Sequence, residues 1–381
     1  MKRKFLAGLI LSALLASLSL EGFAQTRGKK PRKKANRPRV VLVTPRPEVE
    51  SAEVPPPLAP PSAKVVAASS ETIAARASLL ASLPKSDAVA FVDLKRILND
   101  ALPVILASNP AQLAQVNAQL DKVKQQTGLD LRSFERVATG IRLTPNAGGF
   151  DATPFTLING SFNAGALIAA GRFAAQGKYQ QEEYKGKQLY LFNLGDALKD
   201  IPLLGSLGAH LALMEVDANT LAVGDAATLK ANIDANGDAP RANSDLVAMA
   251  TRNPNALIGL GANIPADAAK SLGLDVENDE MGKTAATIRQ MAASLGLNDG
   301  GAEILMAARA DKDSDAKNIA DTLNALKQFA GFAVGQLKTP EQQKLAMNAI
   351  QTLKVAQSGN EAQLSLAIRR EDFPALLGLI K

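Results

Sequence analysis

The stretch from Leu211 to Asn236, LALMEVDANTLAVGDAATLKANIDAN, reads as strand, tight turn, strand and helix. A looser version returns at the C-terminus as LKVAQSGNEAQLSLAIRREDFPALLGLI. Leu211, Leu213 and Glu215 alternate with Ala212, Met214 and Val216, and Leu364, Leu366 and Ile368 alternate with Gln363, Ser365 and Ala367. Successive strand side chains point to opposite faces, so this period of two marks sheets with one buried face. Asp217-Ala-Asn219 and Ser358-Gly-Asn360 supply turn chemistry, because Gly and Asn tolerate positive φ. Asn219 and Asn360 hold comparable places 141 residues apart. After the first turn, Gly224-Asp225 gives a corner and an N-cap, and Leu229 and Ile233 form an apolar i, i+4 stripe. The second copy starts its helix near Glu371-Asp372, with Pro374 in the first turn. The expected fold class is therefore α+β: a tandem pair of related units in which antiparallel hairpins are packed by helices.

The rest of the chain is divided on the same signals. Residues 1–24 read as a signal peptide. Lys2, Arg3 and Lys4 precede a 16-residue apolar run, and Gly22-Phe-Ala24 places small residues ahead of a cut before Gln25. The run is shorter than the roughly 20 residues that span a bilayer, which favours cleavage over anchoring. Residues 25–70 read as a basic, Pro-rich, disordered linker. It carries Arg27, Lys29, Lys30, Arg32, Lys33, Lys34, Arg37 and Arg39 with no acid among them, then seven prolines between Pro45 and Pro61. The two α+β units are assigned to 71–240 and 241–381. Residues 1–64 hold 13 Lys/Arg and 4 Asp/Glu, leaving 30 against 33 for the remainder, so the basic character belongs to the arm alone.

Within the units, strands are expected over Ala88–Leu94, Arg136–Leu143, Phe155–Phe162, Asn255–Ala262 and Gly301–Ala310. A further hairpin is expected over Tyr179–Tyr184 and Gln188–Asn193. Helices are expected over Thr72–Leu83, Leu94–Leu106, Asn109–Gly128, Asn163–Ala175, Pro265–Leu272, Thr284–Leu295 and Ser314–Phe332, and from Thr339 onward. Two segments, LPKSDAVAFVDLKRIL (83–98) and ANTLAVGDAATLKANID (218–234), resemble recurring segments of exported bacterial proteins of the soil-bacterial type, for which no activity is established. That resemblance implies export and an α+β fold and carries over no site.

The candidate chemistry is sparse. With no cysteine, thiolate catalysis and zinc–thiolate centres are excluded. His210 is the single histidine, no G-x-S-x-G elbow accompanies it, and a structural role is expected. Asp311-Lys-Asp-Ser-Asp315 opens like a calcium loop, but Ala316 and Thr322 replace the glycine and glutamate such a loop needs. These acids and Ser314 are expected to cap the following helix, and the acidic run Asp275–Glu280 is expected to be a solvated turn. Gly259-Leu-Gly261 lies between strand and helix but lacks the third glycine of a dinucleotide loop. Ser314-Asp-Ala-Lys317 matches S-x-x-K without its companion elements. No catalytic, cofactor or metal site is expected.

Two surfaces remain. Tyr179, Tyr184 and Tyr190, the whole tyrosine complement, share a hairpin with Lys185 and Lys187, a composition that suits a protein partner. Arg27–Arg39 suits anionic envelope polymers or lipid head groups. Nucleic acid is not the expected partner, given no tryptophan and three tyrosines for base stacking. The resulting reading is an exported, periplasmic or secreted, non-enzymatic envelope protein that binds or scaffolds. Its alternatives are a periplasmic carrier of an apolar ligand and a hydrolase using carboxylates alone.

Overall fold

The computed structural model describes residues 67–146, 149–193, 210–235, 241–271, 274–337 and 339–379. Residues 1–24, expected above to be a signal peptide, and the Arg27–Arg39 arm lie outside the described residues.

The first half begins with α1 (Ser70–Ala81), capped by the Ser69 hydroxyl on the Thr72 amide, and β1 (Ala88–Asp93). A helical run follows, α2 (Leu94–Arg96), a π turn over Ile97–Ala101 and α3 (Leu102–Ile105), then α4 (Pro110–Thr127), which Asn109 caps and Gly128 ends with φ 73°. Next come β2 (Phe134–Asn146), β3 (Gly149–Gly160), α5 (Ala164–Ala174), β4 (Tyr179–Tyr184), β5 (Lys187–Asn193), β6 (His210–Asp217), β7 (Thr220–Gly224) and α6 (Ala226–Ala235). The second half holds α7 (Ser244–Ala250), β8 (Ala256–Asn263), α8 (Ala268–Ser271), α9 (Glu280–Ala286), β9 (Ile288–Asn298) and β10 (Gly301–Ala310). It closes with α10 (Asp313–Val334), α11 (Pro340–Thr352), β11 (Lys354–Ser358), β12 (Glu361–Arg369) and α12 (Phe373–Leu379).

Among the described residues the strands form one twelve-stranded sheet in the order β11-β12-β10-β9-β8-β1-β2-β3-β7-β6-β5-β4, antiparallel throughout. At its centre β1 pairs with β8, Phe91 opposite Gly259. Outward from that seam the order is β1-β2-β3-β7-β6 on one side and β8-β9-β10-β12-β11 on the other; the hairpin β4–β5 is added beyond β6. The two asparagines noted in the sequence hold matching bonds. Asn219 accepts the Gly160 amide and donates to the Phe162 carbonyl (2.9 Å), while Asn360 accepts the Ala310 amide and donates to the Ala310 carbonyl (2.9 Å). Each thus ties a hairpin turn to the end of its neighbouring strand. A second echo escaped the sequence reading: Asn146-x-x-Gly149 and Asn298-x-x-Gly301 join β2 to β3 and β9 to β10, both glycines at φ 141°.

Side-chain alternation assigns each helix to a face. Val89, Phe91, Ala138, Leu157, Met214, Ala292 and Ala307 point to one face, where α1, α6 and α7 add Leu80, Leu229, Leu246 and Met249. The opposite face is covered by the α2–α3 run and α12 (Ala101, Val104, Phe373 on Leu257 and Leu297), by α5 (Ile168 on Leu221 and Val223) and by α10 (Ile319 and Ala320 beside Ala362). Helix α6, after β7, and α12, after β12, follow matching hairpins yet lie on opposite faces. As a result, the face that α6 covers in the first half carries no terminal helix in the second.

Two expectations are corrected. The helix expected over Thr284–Leu295 ends at Ala286, and Ile288–Asn298 is strand β9. Ile288, Met291, Ala292 and Leu295 do recur at helical spacing, but pairing with β8 on one side and β10 on the other overrides local propensity. Ser314 does not cap α10. Lys312 is the N-cap residue and makes no side-chain cap bond, while Asp313 and Asp315 lie in the first turn against the helix dipole.

Candidate functional site

The tyrosine hairpin forms as expected, but its residues face two ways. Tyr184 turns toward α6, donating to Asp234 (3.2 Å), with Lys185 and Lys230 stacked over its ring at 5.6 and 5.5 Å. Lys185 also pairs with Asp234 at 2.7 Å, which raises the lysine pKa and lowers that of the aspartate. Tyr179 and Tyr190 lie on the opposite face around Arg172 of α5, whose Nε donates to the Tyr179 hydroxyl at 2.9 Å. Lys187 Nζ donates to the Val216 carbonyl (3.2 Å). All three tyrosines are half-buried, and the structure does not gather them into one patch.

The motifs weighed and set aside have local explanations. Gly259 and Gly261 sit on β8 directly beneath α7. A Cβ on Gly259 would lie 2.1 Å from the Ala250 carbonyl oxygen, and one on Gly261 would lie 2.4 Å from that of Leu246. These glycines exist so that helix backbone can rest on strand backbone. The Asp275 carboxylate is occupied by its own loop, accepting from the Glu277 and Asn278 amides (3.0 and 2.9 Å). Asp311 pairs with Arg289 at 2.8 Å. His210 opens β6.

A polar cleft of about 780 Å³ lies in the second half, lined by Arg252, Arg289, Arg309, Asp311, Glu361 and Gln363 among others. At its floor Glu361, the first residue of β12, accepts two bonds from the Arg252 guanidinium (2.6 and 2.7 Å), one from Arg309 Nε (2.8 Å) and one from Gln363 (2.7 Å). Its side chain is 10 % exposed; those of Arg252 and Arg309 are about one-third exposed. The hydrogen-bonded Arg252, with Arg309 and Gln363 beside it, holds the Glu361 carboxyl at about 2, far below its usual range, against the opposing effect of burial. A carboxylate held this way cannot serve as a proton donor near neutral pH. Two arginines on one acid leave the floor with an excess positive charge.

Sequence reasoning missed this cluster because its members lie 109 and 52 residues apart. The available signal was Arg309 inside the otherwise apolar end of GAEILMAARA, where a charge on a strand requires a partner.

From the same end of the sheet a second hollow of about 210 Å³ is bordered by Leu305, Lys354 and Ala356 and by the buried Ala292 and Ala307, and shares Arg252 and Gln363 with the cleft. On the opposite face an apolar groove of about 490 Å³ lies between α11, β12 and α12, lined by Leu345, Ala346, Leu366, Ile368 and Leu376. Among the described residues there is no group of three or more His, Asp or Glu side chains placed to hold a metal ion, and no helix is long and apolar enough to cross a membrane.

No protein-family model and no curated protein matches the chain. Among solved structures it is similar to crystal forms I, III and IV of TP0453, each at 10 % identity, with TM-scores of 0.38, 0.37 and 0.39. The alignments cover 79, 78 and 81 % of this chain and 97, 96 and 99 % of the other.

Proposed function

We propose that this chain is an exported envelope protein without enzymatic activity, guided to anionic surfaces by its polybasic arm and displaying a folded binding body. The observation that carries the non-enzymatic part is Glu361. The deepest acid of the polar cleft is fixed by two guanidinium groups, so the carboxylate-only hydrolase loses its best candidate. Lys2–Lys4, the apolar run and Gly22-Phe-Ala24 support export, and Arg27–Arg39 supports counterion-mediated attraction to lipid head groups or envelope polymers. The matching strand order on either side of the β1–β8 seam supports reading the halves as copies of one unit. Export also agrees with the resemblance of 83–98 and 218–234 to segments of exported bacterial proteins.

A second reading, a carrier of an apolar ligand, is favoured by the groove beneath α11. Co-sedimentation with isolated envelope fractions, with and without residues 25–64, at low and high salt, tests the first. Binding that needs the arm and fades with salt is expected. Binding that survives the deletion would transfer attachment to the folded body, and none in either form would refute the envelope reading.

A further inference from the structure

The apolar groove between α11, β12 and α12 contains one charged side chain, and that side chain has no counter-charge. Asp372 lines the groove and is 8 % exposed. Its Oδ1 accepts one bond, from the Asn348 side-chain nitrogen of α11 (2.9 Å). Among the described residues no ion pair and no second hydrogen bond reaches this carboxylate. The cations nearby in sequence are directed elsewhere. Arg369 pairs with Glu371 (3.3 Å), and Arg370 lies 3.9 Å from Asp299. Lys344 stands two residues from both Gln342 and Ala346, which line the groove, so it projects from the other side of α11. The groove therefore carries a single negative charge.

The place of Asp372 in the chain makes this vacancy informative. It precedes α12 as Asp225 precedes α6. Asp225 spends its carboxylate on the Thr228 amide (2.7 Å), an ordinary N-cap bond. Asp372 makes no such bond: Pro374, in the second helical position, has no N–H, and the carboxylate turns to Asn348 instead. A carboxylate buried to this depth costs free energy unless charge and donors meet it. The groove wall supplies neither, since Gln342 is the only other polar side chain lining it. From Gln342 to Ala349 the apolar trough follows α11 for seven residues, about 10 Å at 1.5 Å per residue.

We infer that this groove binds a small apolar primary amine, its ammonium group on Asp372 and its hydrocarbon body along Leu345, Ala349, Leu366 and Leu376. A primary ammonium brings both missing elements, a positive charge and N–H donors for a charge-assisted bond to the free carboxylate oxygen. An alcohol of the same length brings one donor and leaves the charge uncompensated, and an apolar acid would be repelled by Asp372. A quaternary ammonium has no N–H to give, and no aromatic side chain lines the groove to hold it by its charge. The inference rests on the carrier reading of this groove and is independent of envelope attachment by the arm.

Octylamine, an ammonium ion at neutral pH, is the probe, titrated by calorimetry into the full-length chain, with octanol and octanoate in parallel. We expect saturable binding of octylammonium, at least tenfold tighter than that of octanol or octanoate. Asp372→Asn keeps an oxygen for Asn348 and removes the charge; it should weaken the amine at least tenfold and bring it level with octanol. Ala346→Phe fills the groove from α11 and should abolish binding, while Ala356→Trp, exposed on the other face of the sheet, should leave affinity unchanged. Circular dichroism checks that each variant is folded, and Asp372→Asn carries the test if Ala346→Phe is not. Octanol binding as tightly as octylammonium, or unchanged amine affinity in Asp372→Asn, would overturn the amine assignment and leave the carrier reading standing. Undiminished amine binding in folded Ala346→Phe, or its loss in Ala356→Trp, would overturn the assignment to this groove. No binding of any of the three compounds would overturn both the inference and the carrier reading.

Discussion

Arg76 and Asp93 are 2 % and 1 % exposed, the most deeply buried ion pair among the described residues, and they offer a direct measure of what holds the two halves together. Arg76 places Nε and a terminal nitrogen on Asp93 Oδ2 (3.0 and 2.9 Å), while its other terminal nitrogen donates to the Pro254 carbonyl (3.0 Å) just before β8. Asp93 keeps its second oxygen for the Arg96 amide (3.1 Å). Burial lowers the Arg76 pKa, and the bond from Asp93 opposes that effect. Replacing Arg76 by Met leaves an ionised carboxylate in the core, a cost of about 3–5 kcal/mol. It also strands the Pro254 carbonyl, adding about 1 kcal/mol. Asp93→Asn keeps the cap to Arg96 but leaves the guanidinium unpaired, again about 3–5 kcal/mol. The double variant has no buried charge and should lose only about 1–2 kcal/mol relative to the unaltered chain. The coupling is therefore expected to exceed about 3 kcal/mol. The chain lacks tryptophan, so urea unfolding is followed by far-UV circular dichroism, with midpoints compared at constant slope. Additive single effects, or a loss below about 1 kcal/mol for Arg76→Met, would refute the claim that this pair is sealed from water.

Three other outcomes are expected. Glu361 has a folded pKa of about 2 against an ordinary 4.5, so its contribution is present above pH 4.5 and is lost as pH falls toward 2. The shift corresponds to at most about 3 kcal/mol, reduced to about 1–2 because water reaches both arginines; Glu361→Gln should flatten urea midpoints across that window. Gly259→Ala forces a methyl against the Ala250 carbonyl and the Phe91 ring and should cost about 1–3 kcal/mol by the same unfolding assay. Asn219→Ala and Asn360→Ala should each cost about 1 kcal/mol, and the double variant should equal their sum within about 0.5, since the two turns lie on separate flanks of the sheet.

Much of the fold is legible in local chemistry. Asn109-Pro110 and Thr339-Pro340 start helices where cap and first-position proline coincide, and Asp225 caps α6 by accepting the Thr228 amide at 2.7 Å. Alternation identifies the strands whose two faces differ in burial, as in β1 and β6. It fails for β9, where Ala292 and Leu297, buried on opposite faces, destroy the period. The side chosen by α12 is equally hidden. Leu376 and Phe373 are apolar in the manner of Leu229 in α6, and the choice depends on Ala101, Val104 and Leu297, which meet Phe373 only in three dimensions. The Glu361 cluster is hidden for the same reason, since alternation places a charge on a face without naming its partner.

The β1–β8 seam also has a consequence for how the chain folds. Phe91 and Gly259 stand 168 residues apart, a longer reach than any other strand pairing in the sheet requires. Hairpins such as β9–β10 and β11–β12 close over a few residues and form early; the seam carries the largest loop-closure entropy and forms late. During vectorial synthesis β1 therefore waits with one edge unpaired until more than 160 further residues have emerged. Over that interval a second nascent chain could offer β1 a competing edge, and the seam is where misassembly between chains would begin.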